Sequence, residues 1–434
     1  MLNSIKANGW GRTSVVSTIL FAGAVQYAAA ATQCVNPGKA GCWATIGAAV
    51  SHAAAGDVIE VAPGTYKEMV VIGKALTLSG KNFGSTTIDA SGLSNGIFID
   101  GLDAPGLAHV TVSGFTVENA NFEGILVANA SYVTVQGNRI MNNDRSLDFA
   151  NLSCPGLPDF ETAEGFDCGE GIHLTGVSSS LFAGNTITHN AGGILISDET
   201  GPTHNNMIDG NDITDNVLDC GITMPSHPRA PGFGPPVPPF GVYGNVISNN
   251  VSSGNGTIGQ GAGVGIFAFL PGARVSDNLI AGNRITNNGI PGIAFHAHAP
   301  GINLNNNKII GNYIAGNGAD DDPDALTTVP TGINIAGIAA ASPITGTEIT
   351  NNVIKDEGID IAAHAAGLVV AQQNNLNGNG DGVANLGTGS VDARNNWWGC
   401  AKGPNAQGCS STAGNVQTTP WLAAPAVPNG APRQ

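Results

Sequence analysis

Aromatic residues make up only 6% of this 434-residue chain, and charged residues only 11%. Helix-favouring Leu, Glu and Lys are sparse, which argues against a helical bundle or helix-pair repeats. Basic residues are the scarcest class, with 16 Lys and Arg against 32 Asp and Glu. An acidic surface of that kind repels nucleic acid and anionic lipid, so neither is an expected partner. No apolar run is long enough to span a bilayer. The chain has seven Cys, and no dense Met or Cys cluster.

Gly, Asn, Ile, Val and Thr dominate instead, a composition suited to short strands joined by tight turns. The N-terminus reads as an export signal over residues 1–30. Lys6 and Arg12 precede the short apolar core STILFAGAV, and a run of alanines offers a cleavage point. Its removal would shift the formal charge from -16 to 14 - 32 = -18. The expected location is secreted or periplasmic, and the expected state is a monomer. Export makes three sequence-local disulfides plausible: Cys34 with Cys42, Cys154 with Cys168, and Cys400 with Cys409. Cys220 is left over as a buried thiol.

The strongest signal is internal repetition. GNTITHN, GNDITDN, GNVISNN and GNRITNN begin at Gly184, Gly210, Gly244 and Gly282. Aligned on this pattern, one Asn column reads Asn138, Asn185, Asn211, Asn245, Asn283, Asn312, Asn352, Asn375 and Asn396, with Phe115 in the same slot one repeat earlier. A second column reads Asn143, Asn190, Asn216, Asn250, Asn288 and Asn317. Between these segments runs a Gly-Ile-x-apolar strand, as in GILV at Gly124, GIHL at Gly171 and GILI at Gly193. Its apolar residues alternate with period two. An uninterrupted repeat of about 21–26 residues suits one coil of a parallel solenoid. Asn tolerates left-handed backbone, and its amide can bond to another amide, so stacked Asn residues are expected to form ladders inside the fold.

Residues 43–55 read as a short amphipathic helix that caps one end, with DVIEVAPGTY as the first coil. NNWWG at Asn395 closes the other end. The solenoid is expected over 31–410 and a tail over 411–434. Three stretches break the repeat, at 144–169, 225–240 and 318–330. Loops on a rigid scaffold are where function usually sits.

With these features together, the chain resembles right-handed parallel β-helix proteins of the pectin-lyase-like superfamily. The residues that carry the resemblance are DVIEVAPGTYKE at Asp57, the GN-x-I-x-x-N repeats, and NNWWG followed by GP at Gly403. The resemblance implies an all-β, single-stranded right-handed parallel β-helix of roughly 11–12 coils with an N-terminal capping helix. The same repeats occur in the periplasmic β-helix family associated with copper delivery to nitrous oxide reductase, but the chain has no Met or Cys cluster for copper. The superfamily includes polysaccharide lyases, glycoside hydrolases, uronate epimerases and non-catalytic proteins. The paired-Asp pattern of polygalacturonases, the Arg-rich strand of pectate lyases and the DPHE motif of mannuronan epimerases are all missing, so no catalytic residue transfers by motif.

The strand register gives candidates instead. With each Gly-Ile isoleucine at position zero, outward positions collect His173 and Phe267 at plus one, and Phe269 and His296 at plus three. Glu199, His227 and His298 fall at plus five. Glu199 and His227 fall on consecutive coils and are expected to be neighbours. Glu170, His173, Asp219, His227 and Arg229 are the catalytic candidates. Asp198, Glu199, Phe267, Phe269 and His296 are candidates for holding substrate. A lyase needs a neutralised uronate and a base for its C5 proton, with His173 or His227 as base and Arg229 or a cation as neutraliser. A hydrolase needs two carboxylates. His296 and His298, with Asp320 and Asp322, are candidate metal ligands, and the Asp-rich loop could hold calcium. The expected partner is a polysaccharide, cleaved by a lyase before a hydrolase. The alternative is a non-catalytic binding or surface protein.

Overall fold

The structure, a computed structural model, describes residues 30–162, 168–337, 344–377 and 380–426. The proposed export signal lies outside them, apart from Ala30. Strands stack in parallel into three long sheets of 14, 12 and 11 strands, with a smaller sheet of three. Coils away from the two ends contribute one strand to each long sheet. Inward-facing Ile, Val and Leu from successive coils merge into one continuous core, including Ile140, Ile187, Ile213 and Ile285. No coil could bury that face alone.

The 12-stranded sheet contains the Gly-Ile strands, among them Ile125–Ala128, Glu170–Thr175, Gly192–Ser197 and Ile222–Ser226. Their isoleucines stay in register from Ile125 through Ile172, Ile194 and Ile222. The next coil slips. Val264, not Ile266, pairs with Ile222, and Phe267 pairs with Pro225. Both residues of the Val264/Ile266 pair are apolar and inward, so the Gly-Ile signature alone did not fix which of them aligns. Phe267 therefore stands beside His296 at the next coil.

Three Asn ladders run along the corners. The first passes from Asn138 through Asn185, Asn211, Asn250, Asn283, Asn312, Asn352 and Asn374 to Asn396. The second passes from Asn143 through Asn190, Asn216, Asn255 and Asn288 to Asn317, and ends on Glu357. The third links Asn206, Asn245, Asn278 and Asn307. Asn245 thus belongs to the third ladder, Asn250 to the first rather than the second, and Asn374 replaces Asn375. Asn245, Asn250 and Asn255 occupy successive corners of one coil at equal spacing, so consensus alignment could slide by one corner. Phe115 does hold the expected slot, its backbone N–H donating to Asn138 Oδ1 at 3.1 Å.

Work at each corner is divided between two residues. The ladder Asn makes the bonds, while the residue before it takes the left-handed backbone, as Gly184 (φ 60) and Gly210 (φ 64) do. In the second ladder Asn142, His189 and Asp215 fill that role.

The capping helix is Ile46–His52, shorter than the expected 43–55. Thr45 Oγ1 accepts from the Ala48 N–H, and the Glu68 carboxylate accepts from Ile46 and Gly47 N–H at 2.8 Å each. A strand not anticipated from sequence, Thr32–Val35, precedes the helix and pairs with Val58–Val61. At the far end Trp398 is fully buried, and two short strands, Ser411–Ala413 and Val416–Gln417, continue the stack past residue 410. All three expected disulfides are formed, and Cys220 is a buried free thiol. No helix among the described residues is long and apolar enough to cross a membrane.

Candidate functional site

The three interruptions all flank the Gly-Ile sheet. Residues 144–169 and 318–330 enter its strands, and residues 227–240 leave one. Their described residues cover part of the sheet's outer face and divide the predicted residues into two groups.

The first group is a buried network. His173 Nε2 meets Ser197 Oγ at 2.8 Å, and His173 Nδ1 meets Glu161 Oε2 at 3.2 Å. Ser197 donates to Glu199, which also accepts from Thr162 Oγ1 at 3.1 Å and pairs with His227 Nδ1 at 3.2 Å. Glu199 and His227 are therefore neighbours across consecutive coils, as their spacing implied. Asp198 accepts from Ser226 Oγ at 2.9 Å and from the His227 N–H at 2.7 Å. It also accepts from the Gly241 N–H, which ties down the far end of the Pro-rich segment.

Burial dominates the electrostatics here. Loss of solvent pushes the Glu161 carboxyl up to about 8, with the Glu199 charge adding to the effect. It likewise raises Asp198 to about 6, against the two backbone N–H donors. Glu123, fully buried beside Glu161 and His173, is driven well above the usual carboxylate range. Burial alone would raise Glu199 too, but the His227 hydrogen bond and the charges of His227 and His173 hold it well below that range.

The second group lines a cavity of about 300 Å³. Asp219, Thr223, Pro225 and His227 contribute from one coil, Gln260, Phe267 and Phe269 from the next, and Ile290 and His296 from the one after. Asp320, Asp321 and Asp322 close it from the acidic loop. Thr223 Oγ1 donates to Asp219 at 2.7 Å. Phe269 is 45% exposed and stacks on His298 at 4.7 Å, while Phe267 tilts against His296 at 4.8 Å. These contacts follow from the register slip, which sets the two Phe beside the two His.

The structure thus brings Asp219, His227, Phe267, Phe269, His296, Asp320 and Asp322 together around one space. His173, Glu170, Asp198 and Glu199 are all about 1% exposed or less and do not line it. Glu170 lies on the far side of Gly192 from Asp219, and a Cβ at Gly192 would meet both at 3.3 Å. Arg229 is absent from the lining. Its guanidinium lies 4.0 Å over the Phe240 ring and braces the Pro-rich segment.

Sequence reasoning missed Glu161, Thr162 and Gln260, and it read Asp321 only as part of the Asp-rich loop that could hold calcium. Glu161 and Thr162 belong to the segment closed by Cys154 and Cys168, and that closure was the available hint. Gln260, which donates to Asp321 at 2.7 Å, carried no signal.

Residues 77–234 match the family model described as a right handed beta helix region. The chain is a right-handed parallel β-helix. This handedness is the one expected for parallel crossover connections. No curated protein matches its sequence. Among solved structures it is similar to the Dettilon tailspike protein, at 14% identity over 84% of this chain and 62% of that one, with a TM-score of 0.48. It is also similar to an alginate lyase from a Paenibacillus species, at 14% identity over 89% and 99%, with a TM-score of 0.37. The A-module of an Azotobacter vinelandii mannuronan C-5 epimerase matches at 13% identity over 91% and 100%, with a TM-score of 0.41. The β-helix spans 62% of the tailspike's length, and half that of a similar Geobacillus virus E2 protein. At such identities the likeness concerns the fold.

Proposed function

We propose that this β-helix is an exported carbohydrate-active protein that takes a neutral glycan into the cavity and hydrolyses a glycosidic bond there. One observation carries the reading. The cavity is walled by the carboxyls of Asp219, Asp320, Asp321 and Asp322 and by two Phe rings, and among the described residues no Lys or Arg lines it. Phe267 and Phe269 offer apolar faces on which sugar rings can stack. Carboxylic acids from two separate elements supply the acid and base or nucleophile that glycoside cleavage requires. Asp219 from the sheet and Asp321 from the acidic loop are the pair assigned those roles, because they line the cavity from separate elements.

This ordering reverses the lyase-first expectation. Elimination requires a positive partner for the uronate carboxylate, and Arg229, one of the two neutralisers considered beside a bound cation, is stacked outside the cavity. Of the two candidate bases, His227 lines the cavity and His173 does not. The three disulfides fit an oxidising compartment.

The test is an assay of purified protein on neutral and acidic polysaccharides, reading new reducing ends and ultraviolet-absorbing unsaturated ends together. Reducing ends without unsaturated ends, lost in Asp219→Asn, are expected. Unsaturated ends would restore the lyase reading. Saturable glycan binding without turnover would favour the non-catalytic one.

A further inference from the structure

At one edge of the cavity, His296, His298 and Asp322 present possible ligand atoms within 4.8 Å of one another. We infer that His296, His298 and Asp322 bind a divalent transition ion of the zinc type, pinning the acidic loop to the Gly-Ile sheet. This inference stands whether or not the cavity cleaves glycans.

The geometry starts from sequence. His296 and His298 are two residues apart at the end of the strand Ile293–Ala297, so period two puts both on its outer face. Asp322 comes from the loop that enters the following strand. Its Oδ2 lies 3.6 Å from His298 Nε2 and 3.9 Å from His296 Nδ1. One donor atom from each residue fits within a 4.8 Å sphere of mutual distances. A tetrahedral ion with bonds of about 2.1 Å separates its ligands by about 3.4 Å, so small movements would close the shell.

The remaining atoms of the three side chains are already occupied in the way a metal site requires. His296 Nε2 is bound to Asp320 Oδ2 at 2.8 Å. His298 Nδ1 meets Asp324 Oδ2 at 3.4 Å. Asp322 Oδ1 accepts from the Asp324 N–H at 2.8 Å, which turns Oδ2 toward the imidazoles. Each histidine thus has its own carboxylate behind it, the arrangement that fixes the ring and presents the other nitrogen's lone pair to a cation. Asp320 is fixed in turn by Asn334 Nδ2 at 2.9 Å and by its own N–H bonded to Thr327. Stacking on Phe269 holds the His298 ring. His298 Nε2 is buried without a hydrogen-bond partner.

Two nitrogens and one carboxylate oxygen favour zinc-like ions over calcium, which takes oxygen ligands in larger number. The proposed ion is thus of a different kind from the calcium that the Asp-rich loop could hold. His296 and Asp322 line the cavity, so the fourth coordination position opens into it.

The test uses tag-free, chelator-stripped protein titrated with Zn²⁺ by calorimetry, with metal content measured after dialysis. One ion per chain is expected, and excess Ca²⁺ should not displace it. His298→Ala and Asp322→Ala should each weaken binding at least about 100-fold, and Asp324→Asn about 10-fold or more. Co²⁺ should give the visible spectrum of a low-symmetry nitrogen and oxygen site. His109→Ala, on a distant corner, should bind as the parent does. Circular dichroism of the metal-free variants separates lost ligands from lost folding. No binding to the parent protein at millimolar Zn²⁺, or unchanged binding in a folded His296→Ala/His298→Ala variant, would overturn the inference.

Discussion

Glu199 reaches across one coil to His227, whose Nδ1 lies 3.2 Å from its Oε1, while Thr162 from the disulfide-closed segment donates to the same oxygen at 3.1 Å. A single buried carboxylate therefore fastens two covering segments to the sheet. Removing it takes away one buried contact each from His227, Ser197 and Thr162. Glu199→Ala is expected to cost about 3–5 kcal/mol in unfolding free energy, measured in urea. A cost below about 1 kcal/mol would show that the network is not a fastening.

The same network should make stability depend on pH in two directions. Glu161 and Asp198 hold their protons in the fold above the pH at which the unfolded chain sheds them. Their contribution is fully present in acid. It declines from 4.5 toward about 8 for Glu161, and from 3.8 toward about 6 for Asp198. Glu199 acts oppositely: its contribution is present above 4.5 and lost as pH falls below it. Glu161→Gln should flatten the alkaline decline in melting temperature while leaving the acid limb in place. An unchanged alkaline slope would remove Glu161 as its source.

At the cavity, Asp219→Asn and Asp321→Asn should each lower glycan hydrolysis by about 10²–10⁴-fold with little change in melting temperature. Equal rates in parent and variants would remove these carboxyls from the chemistry.

Phe269→Ala tests the sugar platform. The ring is half exposed and rests on His298, so its loss should leave the fold intact. Glycan affinity should fall about 5-fold, or about 1 kcal/mol, in a binding titration.

Asn211 tests the ladders. Its Oδ1 accepts from both the backbone N–H and the Nδ2 of Asn185, and its own Nδ2 donates to Phe182 O and Asn250 Oδ1. Asn211→Ala should cost about 3 kcal/mol by leaving buried donors without partners. Asn249→Ala, in the exposed left-handed position before a ladder residue, should cost less.

The fold was legible because repetition multiplies a weak signal. Gly-Ile alternation and the Asn spacing recur in nearly every coil, and the pairing of Ile125 with Ile172, Ile194 and Ile222 follows from them. Register was less legible where one coil offers equivalent choices. Asn245, Asn250 and Asn255 could each be read as the same corner, and Val264 and Ile266 compete for one inward slot. The site was half legible for a related reason. Polar residues on the strands could be placed on the outer face by period two, which put Glu199 beside His227 and His296 beside His298. What covers that face depends on non-repeating loops, so Glu161 and Gln260 had no register to announce them, and Asp321 was visible only as one of a run of acidic residues. The same loops decide which outward residues meet the cavity and which are sealed beneath it.

The residues that occupy corners along the stack are committed to holding one coil on the next, and a change there must satisfy two neighbours at once. The segments that leave and rejoin the Gly-Ile sheet carry no such obligation, because the strands on either side are already anchored. Lengthening, shortening or recharging a segment such as 318–330 would alter what the cavity admits without disturbing the spine. The molecule therefore separates inheritance from invention: its corners preserve the shape, while the edges of one sheet are free to acquire new ligands.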